Sequence, residues 1–116
     1  MQNRKVYEME AIAIIEGVLK DRSSYEKTVY LLKCYKDLKL GREINENDRS
    51  VLHLIDRAID LIADDEYIDI IKYMYVKGYT YEKTAEAIGM DKRTLYRQRR
   101  RLIKRIAIII YGDKAL

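Results

Sequence analysis

The residues of this chain best suited to chemistry are cations rather than nucleophiles. Between Lys92 and Arg105 stand eight Lys and Arg with no acidic residue among them. Arg presents a planar fork of N–H donors that matches a phosphate or the edge of guanine, and Lys presents a compact point charge. From Lys92 onward nine Lys/Arg and one Asp give a local balance of +8, whereas the residues before it carry −4. A basic block on an otherwise acidic chain is the electrostatic footprint of a surface that meets a polyanion. Other reactive groups are sparse. His53 and Cys34 are the single histidine and the single cysteine, which excludes a multi-His metal centre, a Cys-only metal site and an internal disulfide. His53 stands between Leu52 and Leu54 with no nucleophile pattern nearby, as a helix residue rather than a general base. Cys34 reads as a small buried side chain. The cluster Asp64, Asp65, Glu66 and Asp69 is explained by the preference for acids at a helix N-terminus before a metal site is needed. Phosphate-loop, zinc-protease and zinc-finger spacings are lacking. The chain is expected to be no enzyme and to use no cofactor.

The elements that must position these cations are helical. The chain has 116 residues, 48% hydrophobic and 36% charged, enough for one compact domain or for a helical arm plus a small module. It has no proline and only five glycines, too little turn chemistry for a tightly looped β fold. The expectation is an all-α chain of about six helices. The longest apolar run, Ile106 to Tyr111, is far too short to span a bilayer, and no signal peptide is visible. A soluble cytoplasmic protein with no membrane partner is expected.

Periodicity and punctuation place the helices. A first runs from about Asn3 to Asp21, with Tyr7, Ala11, Ile14, Ile15 and Val18 on one face and Gly17 as a weak point or a site of close backbone approach. A second opens at a Ser23/Glu26 capping box and runs to about Lys39, with Gly41 as its stop. A third follows Asn47 or Asp48 and reaches about Ala63, with Val51, Leu54, Ile55, Ala58, Ile59 and Ile62 inward. Asp64 or Asp65 caps a fourth, Glu66 to Lys77, ended by Gly78. Thr80 caps a short fifth that ends before Gly89. Asp91 caps a last helix that reaches Tyr111 and is ended by Gly112.

The stretch from Tyr67 to Leu102 has the logic of a helix-turn-helix. Ala85 is small enough to let two helix axes approach, and Ile88 fills the space beneath the turn. Gly89 accepts the positive φ that a tight turn needs, and Met90 returns to the core. Leu95 and Leu102 anchor the last helix from within. Its outer face presents Lys92, Arg93, Tyr96, Arg97 and Arg100, the positions that reach base edges in a major groove. Thr94 and Tyr96 suit a phosphate or a thymine methyl. Tyr79, Thr80, Tyr81 and Lys83 are placed to hold the backbone, and Arg99, Arg101, Lys104 and Arg105 to meet phosphates. Leu102, Ile103, Ile106, Ile109, Ile110 and Tyr111 then remain to be buried, either on the N-terminal helices or across a two-fold axis. The eleven tyrosines, with no Phe or Trp, read as core aromatics with hydroxyls at the surface. Stacking on single-stranded bases is the alternative.

This stretch resembles region four of bacterial sigma factors. The matching residues are Tyr75, Gly78, Thr80, Tyr81, Ala85, Ile88, Gly89, Met90, Thr94 and Leu95. Lys83 and Thr84 stand where that pattern has Glu and Ile, so a less apolar core is expected under the fifth helix. The run Thr94-Leu95-Tyr96-Arg97-Gln98-Arg99-Arg100 is similar to that of phage late transcriptional regulators of the ArpU/RinA type. That resemblance implies a phage or prophage regulator that binds double-stranded DNA and acts with host RNA polymerase. Residues 64–116 would form the DNA-binding unit. Residues 1–63 would be a helical region for homodimerisation or polymerase contact; they carry no promoter-melting pattern, so the chain is not expected to act alone as a sigma factor. Two alternatives use similar parts. One is a small terminase subunit that recognises phage DNA for packaging. The other is an anti-sigma or polymerase-binding protein that does not read DNA.

Overall fold

The structure is a computed structural model and describes Gly17, residues 22–40 and residues 46–112. Among residues 22–112, the described part of the chain gives five helices in order: α1, Ser24–Leu40; α2, Glu46–Leu61; α3, Ile68–Ile71, continued by a π-helical turn, Lys72–Val76; α4, Tyr81–Ile88; and α5, Lys92–Tyr111. The fold is all-α. Among the described residues no strand occurs, and no helix is long and apolar enough to cross a membrane. The first expected helix lies outside the described residues except at Gly17, which is helical. A Cβ added there would meet no described residue within 4 Å. Gly41 also lies outside the described residues.

Local signals set most boundaries. The Ser23 hydroxyl accepts from the Glu26 amide at 3.1 Å and so starts α1. The Glu26 carboxylate turns to Arg22 at 3.4 Å, so the expected capping box is formed on the serine side only. Helix α2 begins at Glu46, ahead of the expected caps Asn47 and Asp48, and ends at Leu61 rather than Ala63. The segment expected as one helix, Glu66 to Lys77, departs most. The chain turns through residues 62–67, makes a single α-turn from Ile68, then widens into the π turn, where the Lys77 amide reaches back to the Lys72 carbonyl. Asp65 does not cap this helix. Its Oδ1 accepts from the Tyr67 amide at 3.0 Å, closing a local turn just before the helix starts.

All five helices contribute to one core. Leu31, Leu32 and Tyr35 of α1 meet Leu54, Ile55, Ala58 and Ile59 of α2, with Ile62 from the turn that follows. Ile70, Ile71, Tyr75 and Ala85 close it from α3, the π turn and α4. Helix α5 crosses the whole assembly and buries Leu95, Leu102, Ile103, Ile106, Ala107 and Ile110. The apolar second half of α5 therefore packs within the chain, against α1 and α2. Ile109, expected to be buried with its neighbours, stays 37% exposed. Thr84 is fully buried. Its hydroxyl donates to the Thr80 carbonyl at 2.8 Å, which satisfies the polar atom inside the helix.

Candidate nucleic-acid interface

The cationic face is presented by the joint between α4 and α5. Thr80 caps α4, its hydroxyl accepting from the Lys83 amide at 3.1 Å. Gly89 ends α4 at φ 75° and ψ 39°, in the left-handed region that glycine enters without steric cost. The Met90 amide reaches the Ala85 carbonyl at 2.9 Å and the Gly89 amide the Glu86 carbonyl at 3.3 Å, the paired bonds of a Schellman stop. Two residues after Gly89, Asp91 caps α5. It accepts from the Thr94 amide at 2.9 Å and from the Thr94 hydroxyl at 2.8 Å, and these bonds hold its carboxyl below the ordinary value. The Tyr81 hydroxyl donates to the Lys92 carbonyl at 2.8 Å, tying the first turn of α4 to the first turn of α5. A three-residue turn, two caps and this cross-tie fix where α5 starts and which way its outer face looks.

On that face Lys92, Arg93, Tyr96, Arg97, Arg100, Arg101 and Lys104 are exposed and Thr94 is half-buried. Tyr96 is 51% exposed, large and apolar in a position where burial was available to other residues. Lys92 pairs loosely with Glu82 at 3.7 Å. Arg97 reaches the Thr94 hydroxyl at 3.5 Å, and the Arg100 guanidinium lies 5.3 Å from the ring centroid of Tyr25 on α1. Arg93 and Lys104 make no ion pair with any described residue.

Comparison with family models, with curated proteins and with solved structures returns no match for this chain.

Beside α4, Tyr79 stacks on Tyr73 with ring centroids 5.2 Å apart. Lys83 sits 4.2 Å over the Tyr79 ring and Lys77 sits 4.6 Å over the Tyr73 ring. The expected backbone-holding residues Tyr79, Thr80 and Lys83 thus lie together at the head of α4, joined by Tyr73 from the π turn and Lys77 just after it. Tyr81 is half-buried and engaged with Lys92, so its role is to join the helices.

The basic run divides by partner. Arg99 is half-buried, and its Nε donates to the Tyr75 hydroxyl at 3.0 Å. Arg101 gives Nη1 and Nη2 to the two carboxylate oxygens of Asp65, each at 2.8 Å, and Nε to Gln98 at 2.8 Å. Arg105 adds a third bond to Asp65 at 2.6 Å. Arg101 foremost, with the Tyr67 amide and Arg105 and against the opposing effect of burial, holds the Asp65 carboxyl well below the usual carboxylate range. The sequence groups Arg99, Arg101, Lys104 and Arg105 as phosphate ligands and does not point to Asp65 as the partner of Arg101 and Arg105. The only local hint was the four-residue spacing of Arg101 and Arg105, which places both on one helix face. No group of three or more His, Cys, Asp or Glu among the described residues is arranged to hold a metal ion. What the outer face offers is hydrogen-bond donors, positive charge and one exposed aromatic ring.

Proposed function

We propose that this chain is a sequence-specific double-stranded DNA-binding regulator of transcription, with α4 and α5 as its helix-turn-helix and α5 as the recognition helix. The observation that carries the reading is the joint itself. The left-handed Gly89, the Schellman stop and the Asp91 cap aim the first turns of α5 outward, and those turns hold Arg93, Tyr96, Arg97 and Arg100. The N-terminal part of such a helix is what reaches base edges. Arg93 and Arg97 are the base-reading pair in this reading, with bidentate contacts to guanine as the chemistry. Lys92, Thr94, Tyr96, Arg100 and Lys104 flank them. Tyr79, Thr80 and Lys83 hold the phosphate backbone from the head of α4. Host RNA polymerase and a second copy of the chain are the proposed protein partners.

Selection of bound fragments from randomised duplex DNA tests the reading. The expected result is a defined site bound at least about a thousandfold more tightly than a scrambled control, the lower end of ordinary specificity ratios. Arg93→Ala or Arg97→Ala is expected to cost about 1–3 kcal/mol on that site and to relax preference at one base pair. A palindromic site would mark a dimer. Weak, uniform, salt-sensitive binding, with equal losses on selected and scrambled DNA, would overturn the base-reading assignment.

A further inference from the structure

Asp65 sits in the turn between α2 and α3, with its side chain 6% exposed. Both of its oxygens are committed. Oδ1 accepts from the Tyr67 amide and from Arg101 Nη2, and Oδ2 from Arg101 Nη1 and Arg105 Nη1. On the other side, all three nitrogens of Arg101 are engaged, two by Asp65 and one by Gln98. The Arg101 guanidinium also lies 5.8 Å from the Tyr67 ring centroid. These contacts hold Arg101 back towards the body of the protein.

The position of Arg101 on α5 makes this consequential. Arg93, Arg97 and Arg101 follow at intervals of four and form one stripe on the helix. Without Asp65 the stripe would run on through Arg101, with Arg105 one further turn along. With Asp65 both arginines stay partly exposed, their side chains 43% and 42% accessible, but each is paired, so the run of unpaired cations at this spacing stops at Arg97. We infer that Asp65 is a specificity-determining residue: by holding Arg101 and Arg105 it ends the cationic stripe of α5 and limits attraction to DNA of any sequence. The inference rests on the DNA-binding reading above.

The physical basis is a difference between two affinities. Binding to any sequence grows with the number of phosphates neutralised, because each releases counterions. Base reading comes from the first turns and gains little from cations further along. Withdrawing two cations therefore weakens binding to random DNA without touching the base contacts. One carboxylate facing two guanidinia also leaves the cluster with a single positive charge in place of two.

The test uses the full chain as wild type, Asp65→Asn, Arg101→Gln and Arg105→Gln. Affinity for a random-sequence duplex is measured from about 50 to about 200 mM salt, together with elution from heparin and the ratio of selected-site to random binding. Asp65→Asn is expected to bind the random duplex about tenfold more tightly at the low-salt end and to steepen the log–log salt slope by about 1–2. It should elute later from heparin and lower the specificity ratio. Arg101→Gln and Arg105→Gln in the otherwise wild-type chain should leave the random-duplex slope unchanged, and this arm holds even if Asp65→Asn folds poorly. A slope flattened by about 0.9 in either arginine variant would show those arginines already on phosphate and would overturn the inference. So would an Asp65→Asn chain that stays folded with affinity and slope unchanged, since Asp65 would then be a structural staple alone. A wild type that prefers no sequence overturns the regulator reading and the specificity role with it. That case is recognised by later heparin elution of Asp65→Asn persisting in the absence of any selected site.

Discussion

Gly89 concentrates the local physics of the joint in one backbone conformation. Its φ is 75°, yet a Cβ added there would meet nothing within 4 Å. The cost of a side chain is therefore conformational and not steric crowding by neighbours. Gly89→Ala is expected to destabilise the chain by about 1–2 kcal/mol, and Gly89→Asn by less, because Asn visits the left-handed region more readily. Equal losses in urea unfolding would refute that account. Asp65 gives a second prediction, in pH. Its folded carboxyl titrates below the ordinary value of 3.8, so its contribution to stability is complete well above that value. The contribution is lost as the pH falls towards the depressed folded value. The gap between the thermal midpoints of wild type and Asp65→Asn is expected to be widest near neutral pH and to narrow as the pH drops below about 4. A gap that stays constant in acid would mean that the carboxylate charge is not what holds the turn.

Helix α5 does two jobs along its length of about 30 Å. Its first turns face outward as cations, and from Leu102 onward it carries Leu102, Ile103, Ile106 and Ile110 into the core. The two halves are linked by one rigid rod, so packing at one end sets orientation at the other. Leu102 is fully buried and Ile109 is not. Leu102→Ala is expected to cost about 2–5 kcal/mol by lost burial and the cavity left behind, and Ile109→Ala less than about 1 kcal/mol. Chemical denaturation of the two variants separates them. Comparable losses would mean that Ile109 is covered by something other than the described residues. Tyrosine contributes at this level as well. Six tyrosines lie under Lys or Arg side chains. Some tyrosines also use the hydroxyl to join elements, as Tyr35 does in donating to Asp56 and Tyr81 in donating to Lys92. A phenylalanine would fill the same volume but make none of these hydroxyl bonds.

The protein as a unit is held by a core that no single half encloses. Ile70, Ile71, Leu102, Ile103 and Ile106 are all fully buried, and their cover comes from Leu32 and Tyr35 of α1 and from Ile55 and Ala58 of α2. A fragment spanning 64–116 would expose this surface. It is expected to lose cooperative unfolding and to bind DNA, if at all, only weakly and without preference, whereas the full chain melts in one transition. Circular dichroism on heating decides it: a fragment with a sharp melt would show that α3 to α5 fold without help. The same shared core gives α1 a means of influencing the interface, since Tyr25 lies against Arg100.

Much of this was legible from neighbouring residues alone. The Ser23, Thr80 and Asp91 caps, the positive φ at Gly89 and the end of α5 at Gly112 depend on groups one turn apart, so residue type and spacing suffice to read them. The inward stripes of α2 and α5 follow from helical period in the same way. Three features lay beyond local reading. The π turn at Lys72–Val76 has no cap or glycine inside it to announce it, and it brings Tyr75 to Arg99 across 24 residues. Asp65 looked like one more acid at a helix start, and only the folded chain brings Arg101 and Arg105 to it from 36 and 40 residues away. The apolar half of α5 could be read from sequence as packing on the N-terminal helices or across a two-fold axis, and the folded chain packs it against α1 and α2. Caps and turns are decided by short-range hydrogen bonds and sterics. The sorting of the arginines is decided by which charges the closed core brings within 3 Å of each other, and no local pattern encodes that distance.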